Sequence, residues 1–190
     1  MESNKNPFAV DSYIVLDIPE DIAQKVMNIR KHNKDQFRLS LPVEITITGS
    51  SGIGVIDHNE DPEKVFNIVG EIAASIPPIR ATFGNVIRFP YTDIFVLTLK
   101  DEGPFKKFQK RLADSGIRFK ENPFPYKPHC TLRGRSPVTE EEAEQLYKVS
   151  ITEEFYLNTF SIYSLGTDNE KVNLERLQFG KLLGKKSKLF

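Results

Sequence analysis

The sequence predicts an α+β fold built as two small lobes over a shared core, and three observations carry that expectation. Apolar periodicity reads, from the N-terminus, as strand, helix, strand, helix, hairpin, helix, strand, helix, hairpin. One strand-like stretch, Pro42-Val43-Glu44-Ile45-Thr46-Ile47-Thr48-Gly49, has a partner in Tyr126-Lys127-Pro128-His129-Cys130-Thr131-Leu132-Arg133-Gly134. Glu44 falls on His129, Thr46 on Thr131, Ile47 on Leu132 and Gly49 on Gly134, all at one constant offset. No low-complexity linker divides the 190 residues, a length that fits a single domain over 1–190.

Residues 1–11 read as a short arm. Tyr13 to Ile18 is apolar and β-branched almost throughout, as a strand covered on both faces requires. Pro19 then opens a helix whose buried stripe is Ile22, Val26 and Ile29, with His32 at its solvated end. Strand 42–48 follows. The segment 49–54, rich in glycine and serine, is either a phosphate-cradling loop or a plain connection; it lacks the lysine and spacing of a P-loop. His58 lies in an acidic turn. Asp61 caps the next helix, Pro62 fits its first turn, and Val65, Ile68, Val69, Ile72 and Ile76 line its buried side.

Pro77-Pro78 stops that helix, and 79–89 with 92–99 form a hairpin turning near Pro90-Tyr91. Its second strand is apolar on both faces for most of its length. Gly103-Pro104 starts a helix with the stripe Phe105, Phe108 and Leu112, ended by Gly116. Its other face, Lys106, Lys107, Lys110 and Arg111, is either solvated or a greeting surface for phosphate. Strand 128–133 carries the second stretch. Thr139 with Glu142 forms a capping box for a helix over 140–148. Residues 154–165 and 172–182 read as closing strands, with Gly166 to Asn169 starting their turn, and 184–190 as a basic tail.

Apolar residues at 39% and charged ones at 27% describe a globular chain, and a formal net charge of zero removes any overall basic field that would advertise a nucleic-acid partner. A single cysteine, Cys130, excludes an internal disulfide and suits a reducing compartment. No signal-peptide core and no bilayer-length apolar run appear, so a cytoplasmic monomer without a membrane partner is expected.

On a strand, residues two apart share a face, so Glu44 with Thr46 and His129 with Thr131 each present a polar pair, while Ile45, Ile47, Cys130 and Leu132 turn to a core. A lone His-x-Thr is a weak signal; the repeated frame, shared glycine and element order give it weight. The arrangement resembles the two-histidine (2H) phosphoesterase superfamily, best known from the bacterial 2',5' RNA ligase and cyclic phosphodiesterase group. Its members carry two His-x-Ser/Thr motifs about this far apart on paired strands. The second motif is intact here as His129-Cys130-Thr131-Leu132, whereas Glu44 replaces the first histidine.

The resemblance implies two pseudo-symmetric lobes of mainly antiparallel sheet, helices outside, and a central cleft acting on a nucleotide or RNA-end phosphodiester without metal or other cofactor. It assigns acid/base work to His129 and phosphate holding to Thr46 and Thr131. Arg133, two residues on, would share their face and either pair with phosphate or form a peripheral ion pair. Three readings of Glu44 follow: general base with His129 as acid, the start of a metal site with His129, or lost hydrolysis in a cleft that only binds. His58 is a conceivable stand-in for the missing histidine. Phe124 and Tyr126 are the base-stacking candidates, ahead of Phe119, Phe89 and Tyr91.

Overall fold

The computed structural model describes residues 6–134, 136–168 and 171–186. Among the described residues, eight strands form two four-stranded antiparallel sheets with helices packed against them, the α+β architecture expected. In chain order these are β1 (Ser12–Asp17), α1 (Glu20–His32), α2 (Gln36–Leu39), β2 (Glu44–Thr48), α3 (Pro62–Ser75), β3 (Ile79–Arg88), β4 (Phe95–Leu99), α4 (Gly103–Ala113), β5 (His129–Arg133), α5 (Glu140–Tyr147), β6 (Glu154–Leu157), β7 (Thr159–Asp168) and β8 (Lys171–Lys181). One sheet runs β2-β1-β7-β8, the other β5-β4-β3-β6.

The internal repeat survives as register. Glu44 stands opposite Asp17 and Thr46 opposite Val15 across β1 and β2; His129 stands opposite Thr98 and Thr131 opposite Val96 across β4 and β5. The two motif strands are not hydrogen-bonded partners, which corrects the expectation of paired strands. Each is the outer strand of its own sheet, and the two outer strands lie against one another. The helices tie the halves together: α1, which leaves β1, packs on β5, and α4, which leaves β4, packs on β2. One continuous apolar cluster joins Ile45 and Ile47 to Leu132 and Cys130, all fully buried, so the inward faces of both motif strands are fixed by burial.

Local chemistry accounts for the element ends. Asp61 Oδ1 accepts from the Lys64 N–H at 2.7 Å ahead of Pro62, and Thr139 and Glu142 form the reciprocal capping box. Tyr91 takes φ 60° in the turn between β3 and β4. The expected strand over 154–165 is two strands: the chain leaves one sheet after Leu157 and joins the other at Thr159, because β6 pairs β3 while β7 pairs β1. The arm is docked from Asn6 on, with Phe8 fully buried against Phe66, ring centroids 5.6 Å apart. Residues 1–5 of the arm, Asn169 of the turn and 187–190 of the tail lie outside the described residues. No described helix is long and apolar enough to cross a membrane.

Candidate functional site

A cleft of about 860 Å³ lies where the two motif strands meet. Glu44, Thr46, His129 and Thr131 all line it, so the structure brings both polar pairs to one hollow. Their placement follows from the two-residue strand period, since the alternate residues are sealed in the core.

His129 is only 8% exposed. Its Nδ1 lies 2.5 Å from the Lys127 carbonyl. A carbonyl only accepts, so this contact puts the ring proton on Nδ1 and leaves Nε2 as the basic nitrogen. The Phe89 ring meets the imidazole edge-on, centroids 5.1 Å apart and planes at 89°. Burial drives the histidine pKa below its ordinary 6.5, aided by the charges of Arg38 and Lys127 and opposed by the Lys127 carbonyl. At neutral pH the ring is neutral.

Glu44 is half-buried and moves the other way. Burial pushes its pKa above 4.5, Asp17 across the strand pair adds a like charge, and the Thr46 hydroxyl, Arg38 and Arg30 pull it back. Thr46 Oγ1 donates to Glu44 Oε2 at 3.0 Å, so the first hydroxyl is engaged by the residue that replaces histidine.

The remaining expected residues divide. Arg133 does not line the cleft. The residue is 4% exposed; its guanidinium donates to the carbonyls of Asn33 (3.2 Å) and Pro137 (2.8 Å) and stands 3.6 Å from Glu142, so it is held in the peripheral ion pair outside the cleft. Tyr126 is also outside the cleft lining: its ring packs on the core and its hydroxyl donates to the Thr46 carbonyl at 3.1 Å, which fixes the back of β2. Phe124, 64% exposed, does line the cleft, as do Phe89 and Tyr91, whereas Phe119 packs on the core.

His58 lies with Asp11 (3.1 Å) and Lys120 (2.8 Å), away from the cleft, and does not stand in for the missing histidine. On the basic face of α4, Lys106 pairs with Glu102 and Lys110 with Asp114, Arg111 donates to the Ser75 hydroxyl at 2.6 Å and Lys107 is exposed, and none of the four lines the cleft. Gly49, Ser50 and Ser51 border the cleft, yet the N–H groups of Gly49, Gly52 and Gly54 are given to the carbonyls of Ile53, Phe124 and Lys120. The Gln109 amide holds the Ile47 and Ser51 carbonyls at 2.8 and 3.3 Å. The segment is therefore a tied connection whose glycine amides are already spent.

Three residues that motif reasoning missed shape the site. Arg30, 1% exposed, donates to the carbonyls of Thr131 (2.9 and 3.2 Å), Arg38 (3.0 Å), Leu41 (3.1 Å) and Pro42 (3.2 Å), strapping β5 to the segment entering β2. Asp35 caps α2 through the Arg38 N–H (3.0 Å) and takes the Gly134 N–H on its other oxygen (2.8 Å). Arg38 itself lines the cleft. Of the three, only Asp35, which caps a short helix, has a residue type from which its local role could have been read, although no motif singles it out. Cys130, beneath the motif, is fully buried with its thiol pKa pushed up to about 12, an inert core residue. No group of three or more His, Cys, Asp or Glu side chains able to hold a metal ion occurs among the described residues.

A family model described as the 2'-5' RNA ligase superfamily matches residues 18–169. Among solved structures, TT0787 of Thermus thermophilus superposes with TM-score 0.70 at 16% identity, covering 93% of this chain and 100% of that one. LigT of E. coli in apo form gives 0.61 at 14% identity, covering 90% and 96%, and Usb1 of Kluyveromyces marxianus gives 0.51 at 11%, covering 91% and 99%. The same LigT has been solved with 3'-AMP. At these identities the likeness establishes the fold. No curated protein sequence matches the chain.

Proposed function

Because the chain belongs to the 2'-5' RNA ligase superfamily, we propose that its cleft binds a nucleotide or RNA-end phosphodiester and opens it by acid/base chemistry between His129 and Glu44. The observation that carries this reading is the convergence of the two motif pairs, Glu44 with Thr46 and His129 with Thr131, on one cleft. Burial perturbs both ionisable groups, as is common where side chains are held for chemistry in a cleft.

The contact at Nδ1, which leaves Nε2 free of a proton, favours His129 as the base. Its Nε2, unprotonated and backed by the Lys127 carbonyl, takes the proton of the attacking water. Glu44, whose pKa burial raises, returns a proton to the departing ribose oxygen. The phosphorus–oxygen bond to water forms, the bond to the 2' or 3' oxygen breaks, and a phosphomonoester leaves; solvent restores both side chains. Thr131 and, once Glu44 is protonated, Thr46 hold the non-bridging oxygens. That LigT is solved with 3'-AMP, itself a nucleoside monoester, accords with this choice of ligand.

A second reading has its own observation: Thr46 is already donating to Glu44, which favours a nucleotide- or RNA-binding module without turnover. Hydrolysis of 2',3'-cyclic nucleotides and 2',5'-linked dinucleotides by the native protein, His129→Ala and Glu44→His separates the two. The enzyme reading expects turnover that His129→Ala abolishes and that Glu44→His raises or moves toward neutral pH. A folded native protein that binds these compounds with no turnover leaves the binding module.

A further inference from the structure

The cleft poses an electrostatic problem: Glu44, with Asp17 beside it, faces whatever anion the two threonines are to hold. Two described cations line the cleft. Lys127 is committed, its ammonium paired with Glu102. Arg38 is not: its Nε is buried with no hydrogen-bond partner among the described residues.

The backbone around Arg38 is nevertheless fixed from both sides. Its N–H is given to Asp35 at 3.0 Å and its carbonyl accepts from Arg30 at 3.0 Å, and its guanidinium carbon sits 5.5 Å from the Phe37 ring centroid. The Asp35 carboxylate that caps this turn also holds the Gly134 N–H, the residue just beyond the second motif. A Cβ on Gly134 would lie 3.3 Å from Arg38 Nε and 3.4 Å from Nη2. Gly134 has no positive φ, so it serves space, not conformation: its bare backbone is the bed on which the guanidinium lies. Gly49, its counterpart in the repeat, likewise makes room for the Tyr13 ring. Arg133 Nε is also buried without a partner, but the other two nitrogens of that guanidinium are bonded to the Asn33 and Pro137 carbonyls and it does not line the cleft, whereas Arg38 does.

We propose that Arg38 is the anchor for the phosphate of the cleft's ligand, the cation that lets a site containing Glu44 accept a phosphodiester. The inference rests on the reading above that the ligand carries a phosphate, and it names the residue that binds it. A planar fork suits two non-bridging oxygens better than a point charge does.

The test measures binding of adenosine 2',3'-cyclic phosphate, inorganic phosphate and adenosine to the native protein, Arg38→Gln, Gly134→Ala and, as control, Lys107→Gln on the exposed face of α4. Arg38→Gln is expected to weaken both phosphate probes by about tenfold to a hundredfold and to leave adenosine unchanged. Gly134→Ala, which keeps the charge but displaces it, should weaken them in the same direction by less, and Lys107→Gln not at all. Unchanged phosphate affinity in a folded Arg38→Gln, equal loss for adenosine, or no phosphate binding by the native protein overturns the proposal. Arg38-dependent binding without turnover supports it while removing the catalytic reading; turnover with unchanged KM in Arg38→Gln does the reverse.

Discussion

Replacing Glu44 with glutamine removes a charge and little else, and its consequences for binding and for turnover have opposite signs. Thr46 Oγ1 lies 3.0 Å from Glu44 Oε2, so a phosphate oxygen held by that hydroxyl comes within about 4–5 Å of the carboxylate. Two unit negative charges at that distance repel by roughly 3–4 kcal/mol at an effective dielectric of 20. Arg38 offsets part of this, which leaves an expected gain in affinity of roughly tenfold to a few hundredfold for Glu44→Gln at pH 8. The gain is pH-dependent. Burial raises the Glu44 pKa above 4.5, so below about pH 4.5 the carboxyl is protonated and the two proteins bind alike; the gap opens as pH rises through the displaced value. His129, Asp17, Arg38 and Lys127 are the same in both proteins, so the ratio of affinities isolates position 44. Stability follows the same sign. A carboxyl whose folded pKa is raised contributes stability that is complete below the unfolded value and lost as pH rises through the folded one, so Glu44→Gln should match the native protein near pH 4 and exceed it at pH 8. Turnover should fall, by roughly a hundredfold to ten-thousandfold, because glutamine carries no proton to the leaving oxygen. Calorimetric titration with a 2',3'-cyclic nucleotide between pH 4.5 and 8 reads the binding arm. An affinity ratio near one at pH 8, or one independent of pH, refutes the electrostatic reasoning.

Four further outcomes concern the frame that carries the site. Arg30→Met strips four carbonyls of their buried donor and is expected to cost roughly 2–4 kcal/mol in urea unfolding. Tyr126→Phe deletes the hydroxyl that donates to the Thr46 carbonyl; unfolding should become easier by about 1 kcal/mol while nucleotide affinity moves little, whereas a stacking tyrosine would show neither the stability loss nor its separation from binding. Gly49→Ala would bring a Cβ to 2.1 Å from Tyr13 Cδ1 at φ +134°, an expected loss of roughly 2–5 kcal/mol. Gly116→Ala, at φ +80° with nothing within 4 Å, meets backbone strain alone and should cost about 1–2 kcal/mol by the same measurement.

The motif strands were legible because their information is local. A two-residue period states which side chains share a face, and the constant offset between Glu44-Ile45-Thr46-Ile47 and His129-Cys130-Thr131-Leu132 states that the face is built twice. The same period misjudged Arg133. It sits two residues past Thr131 on a five-residue strand, at the point where the chain turns toward α5, and the carbonyls of Asn33 and Pro137 with Glu142 capture it there. Tyr126 misled for a related reason: an aromatic just before a motif looks available to a base, but its hydroxyl finds a backbone acceptor eighty positions earlier in the chain, at Thr46. The split of 154–165 into β6 and β7 was invisible because both halves are good strand sequence, and only pairing with β3 or β1 distinguishes them.

What periodicity cannot express is how a distant segment completes a site, and residues 30–38 are the instance. Arg30, Asp35 and Arg38 have no motif spacing, yet all three act on the second motif strand or the turn that leaves it: Arg30 on the Thr131 carbonyl, Asp35 on the Gly134 N–H, and Arg38 against the Gly134 backbone. Their own stretch feeds directly into β2, so one short segment is bonded to the exit of one motif strand and covalently continuous with the entrance of the other. This connection explains how two outer strands of separate sheets, sharing no ladder, hold a fixed spacing. It also implies that the loss of Arg30 should disturb both motifs together: a variant that unfolds only modestly should still lose affinity for a phosphate ligand at Thr46 and Thr131 alike, since the strap that sets the distance between the two strands is gone.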